Sequence, residues 1–158
     1  MDRQIIIQSL LTLHLTGLIL MAGITIVDYI AFRTFWKLFD QDKERSLGIL
    51  HATAKFSRWI GIGAALLVLT GVGMMAATNG VFGEQLWFRI KFGFVVVLIL
   101  NGLLIGRTQG IKLRKSIDNG SVDATGQTGA IKTNLNRFHL AQFAIFFIII
   151  LLSVFKFN

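Results

Sequence analysis

The chain has 158 residues, 54% hydrophobic and only 15% charged, with no cysteine and no proline, whereas soluble domains carry about 25% charged residues. This composition places the chain in lipid as a single transmembrane domain over 1–158, excludes disulfides, thiolate metal sites and cysteine nucleophiles, and removes the commonest cause of the broken helices used by transporters. The net charge of +8 would point to nucleic acid in a soluble protein, but here the basic residues flank apolar runs and read as topology signals, so no nucleic-acid partner is expected.

A helix needs about 20 apolar residues to cross a hydrocarbon core of about 30 Å. Four segments qualify, at about 4–32, 57–77, 87–106 and 138–157. The fold class they predict is an all-α integral membrane four-helix bundle. The first run is too long for a signal peptide and lacks a convincing cleavage site near Met21, Ala22 and Gly23, so it is expected to remain as the first span.

Along that span His14, Gly17, Met21, Thr25 and Asp28 recur at helical spacing and share one face. Ionisable groups facing lipid are costly, so the face is expected to point inward and His14 and Asp28 become functional candidates. For Asp28 a structural ion pair with Arg33, Arg58 or Arg107 is the favoured role. The segment Asp40 to Lys55 is expected to be helical and to extend the second span. His51 stands on it in line with Lys55 and Arg58, a pattern that reads as a solvated or headgroup-facing surface.

In the second span Gly61 and Ala65 form a small-x-x-x-small pair suited to close helix approach. The third span opens with Trp87, Arg89 and Lys91 and sets Val95, Leu98 and Gly102 below Lys91 on one face. Read from its position, Lys91 is an interfacial anchor beside the ring of Trp87. Gly102 and Gly106 form a second close-approach pair. Thr70 and Asn101 are the polar residues that spans two and three hold at depth. The stretch Ser116 to Gly129 reads as a mobile loop. The fourth span carries Arg137 and His139 at its start, then Gln142, Phe146, Ile149 and Ser153 along one face.

The first and third connections each hold six basic residues, against Arg89 and Lys91 near the second and Arg3 and Lys156 at the ends. By the positive-inside rule, 33–58 and 107–137 are expected in the cytoplasm, giving an N-out/C-out protein of a bacterial-type inner membrane.

Imidazole is the usual axial ligand of haem, and helix bundles commonly hold such groups. His14 is the foremost candidate ligand, about ten residues or about 15 Å into its helix; His139 enters from the opposite end. No His-x-x-x-His, acidic cluster or phosphate-binding glycine loop is present, which disfavours zinc proteases, carboxylate di-metal sites and nucleotide hydrolysis. Three readings stay open at this level. One is a haem-binding redox protein. The second is a non-haem binding or accessory protein for a lipid, quinone or metal, without enzymatic activity, and the third is a small oligomeric channel.

The run Leu13-His14-Leu15-Thr16-Gly17, with Met21-Ala22-Gly23 and Phe32-Arg33, the opening Trp87-Phe88-Arg89-Ile90-Lys91-Phe92 and the pair Asn136-Arg137 together resemble the HemJ-type protoporphyrinogen oxidases and the CopD-like four-helix membrane proteins. The resemblance covers nearly the whole chain through span number, span order and the Trp-x-x-x-Lys opening. It implies haem b as cofactor, with His14 as the ligand of the haem iron and Lys91 as a second ligand or a partner for a propionate, both tied to catalysis. Arg137, His139 and Gln142 stand where the family carries its helix-four pattern and join the expected cofactor site. The implied reaction removes six electrons and six protons from protoporphyrinogen, with a quinone as acceptor. The partners expected are therefore the lipid bilayer, a porphyrinogen and a quinone, with self-association into a homo-oligomer as a further expectation.

Overall fold

The computed structural model describes residues 2–39, 41–118 and 127–155. It is all-helical, with four helices long and apolar enough to cross a membrane. Six α-helices build these spans: α1 (Arg3–Phe39), α2 (Lys43–Ala52), α3 (Phe56–Ala77), α4 (Leu86–Asn101), α5 (Arg107–Asp118) and α6 (Gln127–Val154). A 3-10 turn, Thr53–Lys55, joins α2 to α3, and a π-helical turn, Gly102–Gly106, joins α4 to α5. The chain divides into two compact units, Met1–Glu84 and Gln85–Asn158.

The connections differ from the sequence expectation. Most of 33–58 is helix, because α1 continues through Arg33 and Lys37 to Phe39 and α2 begins at Lys43. At 37 residues α1 is about 55 Å long by the helical rise, well beyond the apolar thickness of a bilayer. Asp42 starts α2 as an N-cap, its carboxylate accepting from the Arg45 backbone N–H at 3.1 Å. Of the loop expected at Ser116 to Gly129, both described ends are helical. Helix α5 reaches Asp118, α6 starts at Gln127, and residues 119–126 lie outside the described residues, as do Lys156 and Phe157 at the end of the fourth expected span.

In the first unit α1 packs along α3 and also meets α2. The α1–α3 crossing is set by two glycines. A Cβ on Gly63 would lie 3.0 Å from the Gly17 carbonyl oxygen and from the Met21 nitrogen, and a Cβ on Gly17 would lie 3.1 Å from the Gly63 oxygen. With no hydrophobic gain between helices in lipid, this backbone approach supplies the packing that holds the pair. The expected Gly61 and Ala65 pair does not do so: both are exposed and nothing lies within 4 Å of a Cβ on Gly61. Gly63 is two residues on, about 200° around the helix, which puts it on the opposite face.

Helix α3 ends in a Schellman motif. Asn79 adopts a left-handed φ of 54°, the Gly80 N–H donates to Met75 O at 3.0 Å and the Asn79 N–H donates to Ala76 O at 3.1 Å. Arg3 from α1 donates through Nε to Ala77 O at 2.6 Å, and the Thr78 hydroxyl donates to Met74 O at 2.9 Å. The last carbonyls of the helix are thus satisfied where it leaves the apolar layer.

In the second unit α6 packs along the continuous α4–π–α5 helix. The π turn corrects a phase error. Over the nineteen residues from Leu98 to Ile117 an unbroken α-helix would turn the second side chain away by about 100°. One extra residue in the π turn removes about that much rotation, so that Leu98, Leu113 and Ile117 are all buried. The Thr108 hydroxyl donates back to Leu104 O and Ile105 O within this stretch. Gly106 meets the Phe138 ring so closely that a Cβ would lie 2.7 Å from it, whereas Gly102, its expected partner in close approach, has nothing within 4 Å.

Candidate functional site

The predicted inner face of α1 is observed. Gly17, Met21 and Thr25 are buried, and His14 and Asp28 are half-buried at its two ends. Large aliphatic residues on other faces, such as Ile19 and Leu69, are more than 70% exposed and suited to lipid contact.

His14 meets α3 at Thr70. Its Nδ1 lies 2.9 Å from the Thr70 hydroxyl oxygen, and Thr70 is buried. A hydroxyl has one proton to give. Thr70 spends it within its own helix, donating to Leu66 O at 2.6 Å with Leu67 O further off at 3.3 Å. With that proton committed to Leu66 O, the hydroxyl oxygen can accept from His14 Nδ1–H, the tautomer that leaves the lone pair of a neutral imidazole on Nε2. This is the arrangement of metal-binding histidines, in which one ring nitrogen is held by an oxygen and the other is the donor atom. Gly71 lies beside the ring, where a Cβ would stand in ordinary contact at 3.6 Å from His14 Cε1.

The second unit holds another polar cluster. Asn101 Nδ2 donates to Gln142 Oε1 at 2.8 Å and lies 3.4 Å from Phe138 O, tying the end of α4 to α6. His139 and Gln142 are each about 1% exposed. His139 Nδ1 lies 2.8 Å from Leu135 O. A carbonyl only accepts, so Nδ1 carries the proton in this bond. The Phe138 ring meets the His139 ring edge-on at 4.9 Å.

Of the residues expected to hold a cofactor, His14 lies in the first unit, and Lys91, Arg137, His139 and Gln142 lie in the second. His139 and Gln142 belong to one buried cluster. Arg137 is exposed, and no hydrogen bond or ion pair among the described residues joins it to them. Lys91 is half-buried one turn after Trp87, and its predicted face is observed, with Val95 and Gly102 half-buried and Leu98 buried. Trp87 itself is buried, and its indole N–H donates to the Gln85 side chain, so it is not displayed as a headgroup-layer ring. His51, Lys55 and Arg58 are all exposed, in keeping with a solvated face. Among the described residues no group of three or more His, Cys, Asp or Glu could hold a metal ion.

Thr70 is the residue that sequence reasoning left without a role. Its signal was slight: a single hydroxyl in an otherwise apolar span, on a helix whose facing partner carries a histidine. Comparison with models of known families, with curated proteins and with solved structures yields no match for this chain.

Proposed function

We propose that this is a haem-b-binding redox protein of the membrane, in which His14 would hold the haem iron. The observation that supports the reading is the contact at His14: Nδ1 lies 2.9 Å from the Thr70 hydroxyl, whose oxygen is 2.6 Å from Leu66 O, a geometry suited to Nδ1–H donating to Thr70 with the lone pair on Nε2. The donor set fits, because haem iron takes a neutral imidazole nitrogen held from its far side. A haem bound there supplies one-electron exchange with a partner. In this reading His14 would give the ligating nitrogen, and Thr70 would hold its tautomer and the ring's orientation. The resemblance adds porphyrinogen oxidation and a quinone acceptor as the reaction class. Lys91 and the His139–Gln142 cluster enter as separate candidates on the second unit, each to be tested by its own variant.

The deciding experiment is an oxidised-minus-reduced optical spectrum of detergent-purified protein produced with ample iron and porphyrin precursor. A Soret band with sharp reduced α and β bands is expected, and it should be lost in His14→Ala while the helical circular dichroism persists. A featureless spectrum after haem loading refutes the reading and leaves a non-haem membrane binding protein.

We also propose an N-out/C-out orientation in a bacterial-type inner membrane, on the strength of the basic residues in 33–58 and 107–137. The chain lacks cysteine, so single cysteines introduced at Gln41 and Gln109 report sidedness directly. Labelling of either by an impermeant maleimide in intact cells rejects this orientation.

A further inference from the structure

Where α1 begins and α3 ends, Arg3, Ile7, Thr78 and Val81 line an open groove of about 350 Å³. Its walls differ in chemistry. Ile7 and Val81 are aliphatic, and the Thr78 hydroxyl is already spent on Met74 O. Arg3 is fixed in place by the bond from Nε to Ala77 O. A guanidinium has five N–H donors, and Arg3 makes no other hydrogen bond or ion pair among the described residues. Four donors on an anchored, always-charged fork are therefore left for an acceptor.

The position identifies that acceptor. Both α1 and α3 are long and apolar enough to cross a membrane, and the groove sits at an end of each, where a spanning helix pair would meet the headgroup layer. Capping Ala77 alone would require one N–H and no groove. An open channel with a cation at its rim and aliphatic walls is complementary to a molecule that joins a phosphate to a hydrocarbon chain.

We propose that this groove binds a membrane phospholipid, with the phosphate diester on the terminal nitrogens of Arg3 and the adjoining acyl segment against Ile7 and Val81. The site is independent of any haem at His14. Native mass spectrometry of the full chain in detergent, titrated with dioleoyl phosphatidylglycerol, tests it. One lipid adduct is expected to survive activation that strips the rest. Arg3→Gln, by removing a charge-assisted contact, and Ile7→Trp, by filling the groove, should each lower its occupancy at least about fivefold. Arg33→Gln, an exposed cation towards the other end of α1, should leave it unchanged. Ile7→Trp leaves Arg3 and its helix-capping bond in place, so it carries the test if Arg3→Gln fails to fold. An adduct that persists in Ile7→Trp, that falls equally in Arg33→Gln, or that millimolar inorganic phosphate displaces completely overturns the lipid assignment.

Discussion

Replacing Thr70 by valine removes one oxygen and keeps the volume and branching of the side chain. His14 Nδ1–H then loses its acceptor. An unpaired donor costs about 1–3 kcal/mol when fully buried and less at the half-buried His14, and the imidazole escapes that cost by moving its proton to Nε2. The tautomer that results has no lone pair on Nε2. Affinity for a haem iron should fall about tenfold to a hundredfold, the usual effect of losing a partner behind a metal ligand, which is about 1.4–2.7 kcal/mol. Thr70→Ser keeps the hydroxyl and should restore most of the binding. Haem titration followed at the Soret band gives the affinities, and ¹⁵N chemical shifts of the His14 ring in the haem-free protein report the tautomer without any cofactor. The reasoning is refuted if Thr70→Val binds haem as tightly as the parent, or if the parent's ring carries its proton on Nε2.

Two further predictions concern the second unit. Deleting Leu103, which is 52% exposed within the π turn, should convert that turn to α-helix and keep Leu98, Leu113 and Ile117 on one face; inserting an alanine at the same place should rotate them apart by about 100°. Thermal unfolding in detergent should then show the deletion close to the parent and the insertion clearly destabilised. Gln142→Leu leaves Asn101 Nδ2 with only the longer contact to Phe138 O, and the lost side-chain bond should cost about 0.6–2 kcal/mol, measured by unfolding in mixed micelles and compared with Asn101→Leu within a double-mutant cycle.

The helix faces were legible because lipid leaves a simple rule: polar and small residues turn away from it. The stripe from His14 to Asp28, the face from Lys91 to Gly102 and the face from Gln142 to Ser153 all follow the helical period and all are buried or half-buried as expected. What the period cannot give is the partner across the interface. Thr70 and Asn101 stood out as polar, but that one holds a histidine and the other a glutamine depends on the height at which two helices meet. The small-residue pairs misled for a related reason. Gly61 and Ala65 have the right spacing, yet spacing is blind to which side of α3 faces α1. The π turn was invisible because Gly102–Gly106 contains only glycine, leucine and isoleucine, with no polar residue to mark a break in phase.

The contact of Gly17 with Gly63 also has a consequence for how this chain can change. Each glycine's oxygen occupies the volume the other's first side-chain carbon would need. A side chain at either site makes the facing backbone give by a few tenths of an ångström, so either change loosens the same contact and relaxes the demand for a glycine at the other. The two positions therefore have one shared fate under selection: they are retained as a pair or lost as a pair, and no lineage that still closes this crossing should carry a larger residue at just one of them.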